Sequence, residues 1–271
     1  MVPPAAEFLR NDLRLRVLSA AVLAPAALAL AYVGGWAFTG FVALAALLMA
    51  LEWDRLTGGK GVSGAGALAF IPIVAVGLTV SGAPGWALAW TCTGAVVLAS
   101  LAPLLGRARL WPALGAFWLT LPCIALIWLR GMGEDGLVLV LGLLLVIWAC
   151  DCCAYFVGQA LGGAKLAPRL SPSKTWSGLA GGAAGSAVVA GLWSLGSGLA
   201  SPLPAAFTGA ALALVSQGGD IAESAVKRHF GAKDSGRLIP GHGGILDRVD
   251  GLLFAAPAAA VLMLLGGGNV A

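Results

Sequence analysis

The chain has 271 residues, 59% of them hydrophobic and only 10% charged, with a formal net charge of +4 and a mean hydropathy of +0.93. A soluble globular domain carries about 25% charged residues, so this composition excludes one. The basic balance, 16 Lys and Arg against 12 Asp and Glu, sits in short connectors between uncharged stretches, which argues against a nucleic-acid surface.

In lipid the backbone must satisfy its own hydrogen bonds, so repeated apolar runs near 20 residues predict helices. In chain order the runs are 16–33, 36–51, 64–81, 84–105, 112–129, 137–157, 177–196, 204–221 and 251–267. They predict an all-α polytopic integral membrane protein of about nine transmembrane helices, one membrane domain over 1–271. Breaks fall at Gly34-Gly35, Gly58-Gly59, Pro84, Pro112, Gly131 to Gly136 and Ser201 to Pro204. Arg10, Arg14 and Arg16 before the first run resemble a signal peptide, but that run is nearly long enough to span and a second follows at once. An uncleaved first helix is therefore expected.

Basic residues occupy alternate connectors: those three arginines, then Arg55 and Lys60, then Arg107 and Arg109, then Lys165, Arg169 and Lys174, and five more after the eighth run. Positive charge favours the cytoplasmic side, which predicts a cytoplasmic N-terminus and, with an odd count, an outside C-terminus. Trp53, Trp111, Trp128 and Trp176 near run ends read as interfacial anchors. Gly178, Gly181, Gly182 and Gly185 in the seventh run read as a close helix-packing face. Cys92, Cys123, Cys150, Cys152 and Cys153 lie in or beside apolar runs without CxxC spacing, and read as small buried hydrophobes in a reducing setting.

Two long connectors, 158–176 and 222–250, both expected on the cytoplasmic face, hold the unusual residues. They divide the chain into N-terminal spans 1–150, expected to act as a scaffold, and spans 151–271, which carry both long connectors. If the eighth helix runs on to about residue 229, Asp220, Glu223 and Lys227 fall on one stripe. Asp247 and Asp250 are three apart at the start of the ninth helix. Between them lie Ser224, Arg228, Lys233, Asp234, Arg237, His242, Gly243, Gly244 and, just after, Arg248.

Acids at membrane depth are costly to retain without a purpose. Carboxylates among several bases suit a hard divalent cation shared with phosphates, the equipment of phosphoryl or nucleotidyl transfer, where two metals can stabilise attacking and leaving oxygens together. A loop that only sets topology needs Lys and Arg alone; it leaves the stacked acids and the Gly-His-Gly-Gly turn unexplained. His242 by itself reads more simply as a loop hydrogen-bonding group. In the smaller connector, Ser171-Pro172-Ser173-Lys174-Thr175-Trp176 places hydroxyls and an ammonium before a helix N-terminus, where anions are favoured, or serves only as a capping turn. Asp151 either faces the same cavity or caps a neighbouring helix. A transporter of a phosphorylated or anionic solute is the main alternative, but it calls for ionisable groups deep in several helices and for inverted repeats, and neither is visible.

The stretch Ser224 to Asp250 reads Ser-x-hydrophobic-Lys-Arg, four residues, Lys-Asp, then Pro-x-His-Gly-Gly-hydrophobic-x-Asp-Arg-hydrophobic-Asp. It resembles the signature of the phosphatidate cytidylyltransferases. The resemblance extends to Gly219-Asp220, Ser171-Pro-x-Lys174-Thr-Trp176 and Asp151-x-x-Ala154-Tyr155, and more loosely to Leu121-Pro122, Leu129-Arg130 and Glu52-Trp53, so it covers most of the chain. It departs from the family pattern at Ser177, Cys152-Cys153, Gln159 and Gly163.

The resemblance implies cytidylyl transfer from CTP to phosphatidic acid in phospholipid biosynthesis, dependent on Mg²⁺ at two metal sites, by a homodimer in the inner membrane of a bacterial-type cell, with the active site on the cytoplasmic face. On this sequence it implies Asp220 and Asp247 as leading metal ligands with Glu223 and Asp250 beside them, and Asp220, Lys227, Asp247 and Asp250 as the catalytic set. Lys227, Arg228, Lys233, Arg237 and Arg248 would hold phosphates, with Ser171, Lys174, Ser224, Asp234, His242, Gly243 and Gly244 completing the substrate pocket.

Overall fold

A computed structural model describes residues 21–59, 62–236, 238 and 243–266. Helix α1 is described over Ala21–Val33. There follow α2 (Gly35–Leu56), α3 (Val62–Val80), α4 (Pro84–Leu101) with a 3₁₀ turn at Ala102–Leu105, α5 (Leu110–Arg130), α6 (Asp135–Leu161), a hairpin of β1 (Lys165–Ala167) and β2 (Ser171–Thr175), α7 (Trp176–Ser197), α8 (Pro202–His229) and α9 (Leu246–Leu265). A helix lies over each expected run among the described residues. Six are long and apolar enough to cross a membrane: α2, α4 with its 3₁₀ turn, α5, α6, α7 and α9. The apolar pieces Ala21–Val33 and Gly64–Val80 are shorter. Helix α8 is 28 residues long, but its later turns carry Ser216, Gln217, Asp220, Glu223 and Lys227, so the apolar run 204–221 is only the first part of a longer, partly polar helix.

The helices pack as two groups, α2–α5 and α6–α9, joined chiefly where α5 meets α9. Helix α7 lies closely on α6, as its glycines predict: a Cβ on Gly182 would lie 3.0 Å from the Cys150 carbonyl oxygen, and one on Gly178 2.9 Å from that of Ala154. Helix α5 is central, with Leu119, Thr120 and Leu129 fully buried. At its far end Arg130 donates from Nε to the Ala31 carbonyl at 2.7 Å and from Nη2 to the Tyr32 carbonyl at 3.2 Å, capping α1. A mostly apolar cavity of about 1310 Å³, lined by Phe38, Trp128, Arg130, Val146, Trp193 and Met263 among others, opens at this end.

Three local readings change: Cys92 and Cys152 are exposed rather than buried, and an indole and a connector also differ. Trp176 is exposed, as an interfacial anchor should be, but Trp53 is 1% exposed. Its indole N–H donates to the Trp111 carbonyl at 3.0 Å and its ring tilts against Trp118 at 5.3 Å. An indole near a span end serves either role, and here tertiary packing decides. The connector read as a turn before α7 is an antiparallel hairpin, with Lys165 opposite Thr175 and Ala167 opposite Ser171. Gly162 and Gly163, at φ +59° and +99°, end α6 and reverse the chain into it, and the Thr175 hydroxyl caps α7 by accepting from the Gly178 amide at 3.0 Å.

Candidate active site

Helix α8 continues past its apolar run, and this puts Asp220, Glu223 and Lys227 on one face beside the first turn of α9. The Lys227 ammonium lies 3.1 Å from Glu223 Oε1 and donates to Asp247 Oδ1 at 2.6 Å. Asp247 Oδ2 accepts from the Ser235 amide at 2.8 Å, the Ser235 hydroxyl at 2.8 Å and the Gly244 amide at 2.9 Å. Asp247 therefore folds the loop back on the start of α9, where a carboxylate also complements the helix dipole. Its Oδ2 is saturated, and further coordination is left to Oδ1.

The paired glycines serve this turn. Gly243 is left-handed at φ +81°, and a Cβ there would lie 2.9 Å from Asp247 Oδ2. At Gly244 a Cβ would run into the Ser235 hydroxyl and the Glu52 carboxylate.

Asp250 lies one turn further along α9, where that helix meets α8: a Cβ on Gly219, the residue before Asp220, would lie 2.9 Å from the Asp250 carbonyl oxygen. Asp220 is paired with Lys174 of the hairpin. Lys174 also donates to Gln217 Oε1 at 2.7 Å, and Gln217 Nε2 reaches Asp151 Oδ1 at 3.4 Å. Hairpin, α8 and α6 are thus tied by one polar chain, and of the two readings of Asp151 the structure takes the shared region. Arg248 is exposed, with its charge acting on Asp151.

The residues present fit a hard divalent cation. Among the described residues, Asp151, Asp220, Glu223, Asp247 and Asp250 stand with Lys174, Lys227 and Arg248, a formal excess of negative charge. Both Glu223 oxygens are buried without a hydrogen-bond partner; the Lys227 contact is an ion pair lacking hydrogen-bond geometry. Among the described residues no three His, Cys, Asp or Glu side chains are grouped to enclose an ion by themselves. That is the usual situation for Mg²⁺, which takes one or two carboxylates and completes its shell with water and substrate phosphates.

The other candidates lie on the same elements and the loop between α8 and α9. Ser224 is half-buried on α8, Ser171 half-buried at the start of β2, and Lys233 and Asp234 are exposed on the loop. Arg228 is exposed and donates to the Ala232 carbonyl at 3.0 Å, closing the end of its own helix rather than pointing at the acids. Arg237 and His242 lie outside the described residues, as do Arg10, Arg14, Arg16 and Lys60.

Sequence reasoning missed Gln217 and gave Glu52 no role. Gln217 carries no sequence signal beyond its position one turn before Asp220. Glu52 is 1% exposed and accepts from the amides of Ile245 and Leu246, both at 2.9 Å, and from the Ser235 hydroxyl at 3.3 Å. In the sequence it stood only as a loose part of the family resemblance, an acid at the end of an apolar run.

Compared with known proteins, the chain matches the cytidylyltransferase family over residues 14–265. It is similar to the phosphatidate cytidylyltransferase of Brucella suis, 42% identical over 262 residues and 94% of each chain. It is similar also to that of Pseudomonas aeruginosa, 37% identical over 288 residues, covering 94% of this chain and 98% of that one. With the Bacillus subtilis enzyme it shares 43% identity over 140 residues, 51% of each chain.

Proposed function

The chain belongs to the cytidylyltransferase family, and from that premise we propose that it transfers a cytidylyl group from CTP to phosphatidic acid, giving CDP-diacylglycerol and pyrophosphate. The observation that carries this reading is the convergence of acids from α6, α8 and α9 with Lys174, Lys227 and Arg248 at one end of the bundle. An oxygen of the lipid phosphate attacks the α-phosphorus of CTP, the bond to the β-phosphate oxygen breaks, and pyrophosphate leaves in line. The nucleophile is already ionised near neutral pH, so no strong general base is needed.

Asp220, Glu223, Asp250 and Oδ1 of Asp247 are the groups for Mg²⁺, which when bound would neutralise charge on the phosphate oxygens. Lys174, Lys227 and Arg248, with Lys233 and Arg237 from the loop, hold the phosphates. Ser171, Ser224 and the Gly243-Gly244 turn shape the pocket. The alternation of basic connectors supports a cytoplasmic N-terminus and active site, the C-terminus outside, in a bacterial inner membrane. The active form is a homodimer on the strength of the resemblance alone.

The test is pyrophosphate release by purified protein given CTP, phosphatidate and Mg²⁺. Asp220→Asn is expected to lower turnover by at least about 100-fold, the scale of deleting a preorganised electrostatic partner. A well-folded wild-type protein that releases none would refute the reading.

A further inference from the structure

Three consecutive residues at the end of α2 each fasten a different part of the acid-rich end of the molecule. Trp53 donates to the Trp111 carbonyl at the start of α5. Asp54 is buried and pairs with Arg107 at 2.6 Å, whose other nitrogen donates to Thr57 Oγ1 at 2.8 Å. Glu52 does something different, because it reaches 193 residues along the chain to the loop end that leads into Asp247.

The start of α9 presents unpaired amides, a place that favours an anion. Here the protein fills it with its own carboxylate: Glu52 Oε1 accepts from Ile245 and Oε2 from Leu246. The surroundings are shaped to admit it. A Cβ on Gly236 would lie 2.7 Å from Glu52 Oε1, and one on Gly244 2.5 Å from Oε2. Ser235 then links this carboxylate to the site, since its one hydroxyl proton is shared between Asp247 Oδ2 at 2.8 Å and Glu52 Oε2 at 3.3 Å. Asp247 in turn holds Lys227. The path from Glu52 to Lys227 is thus Glu52, Ser235, Asp247, Lys227, each step a contact given above.

We propose that Glu52 is a positioning residue for the cytidylyl transfer: it occupies the N-terminal amides of α9 and, through Ser235, sets the orientation of Asp247 and hence of the Lys227 ammonium. The proposal rests on the reaction inferred above. Glu52 touches no substrate; a residue of this kind acts by holding others within a fraction of an ångström of productive geometry. Because the carboxylate fills the amide site, incoming phosphates are received by the Lys174, Lys227 and Arg248 side instead.

Glu52→Gln keeps the shape but turns an NH₂ donor toward a backbone N–H, so one bond is lost and a donor faces a donor. Ser235→Ala removes the bridge and with it one of the three bonds to Asp247 Oδ2, leaving the two backbone amides in place. Both are purified in detergent with the wild type and assayed for pyrophosphate release from CTP and phosphatidate with Mg²⁺, together with the double variant. Each single variant is expected to lower kcat, Glu52→Gln by about 30-fold, a displaced rather than deleted partner, with the KM for CTP within about threefold of wild type. The double variant should lose little beyond the worse single one, as members of one connected chain do.

Near-normal kcat in Glu52→Gln, or losses that simply multiply in the double variant, would overturn the proposal. If Glu52→Gln does not fold, Ser235→Ala alone decides, since it leaves both amide bonds to Glu52 in place, and normal kcat there overturns it. An inactive wild type would instead count against the reaction itself.

Discussion

Gly244 has room for a hydrogen and little else: a Cβ there would lie 2.7 Å from the Glu52 carboxyl carbon and closer still to the Ser235 hydroxyl. Gly244→Ala should therefore push apart Ser235, which holds Asp247, and the Glu52 carboxylate behind it. The expected outcome is a loss of turnover of at least about tenfold with helix content unchanged, at a stability cost of about 1–3 kcal/mol typical of overpacking, read by pyrophosphate release and thermal unfolding in detergent. At this scale the sequence was informative where residues lie close along the chain. Asp220, Glu223 and Lys227 share a helix stripe, and Asp247 and Gly244 share a turn, so spacing alone brings each set together. Glu52 and Asp151 could not be placed that way, because their partners are 193 and 66 residues distant, and only the packed helices bring them near. Arg228 shows the converse: a basic residue inside the most informative stretch spends its guanidinium on its own helix end.

Among the elements, the helices were legible because an apolar run of membrane length admits no other backbone, and the glycine face of α7 because close packing against α6 needs small side chains at that spacing. The hairpin of β1 and β2 was not, since strands of three and five residues containing Pro172 and two serines are too short to show an alternating pattern. Its role is visible in Lys174, which bonds Gln217 and pairs with Asp220, fastening the hairpin to α8. Lys174→Met keeps the length and removes the charge. The hairpin should then detach more often, exposing the 162–175 backbone, and limited proteolysis is expected to cut there several times faster than in wild type. The KM for CTP should rise by about tenfold, the worth of one charge-assisted contact. Equal proteolysis rates would mean that the hairpin is held by its backbone connections alone.

For the whole molecule, the order of spans was readable but their arrangement was not: nothing in the spacing of apolar runs says that α5 lies at the centre, or that α5 and α9 join two helical groups. The inside-outside assignment from basic connectors is open to a direct measurement. In a cysteine-free background on intact cells, a membrane-impermeant maleimide should label Met132→Cys, between α5 and α6, and leave Arg169→Cys, in the hairpin, unlabelled until the membrane is permeabilised. The reverse pattern would put the acid-rich end outside, where CTP is absent, and the proposed reaction would fail with it. One feature at the opposite end bears on how the chain is made. The carbonyls of Ala31 and Tyr32 at the close of α1 are satisfied by Arg130, which follows them by 99 and 98 residues. During synthesis α1 leaves the ribosome long before that guanidinium exists, so its last turn must borrow water or lipid headgroups until α5 arrives. The first helix is finished only when the fifth is in place.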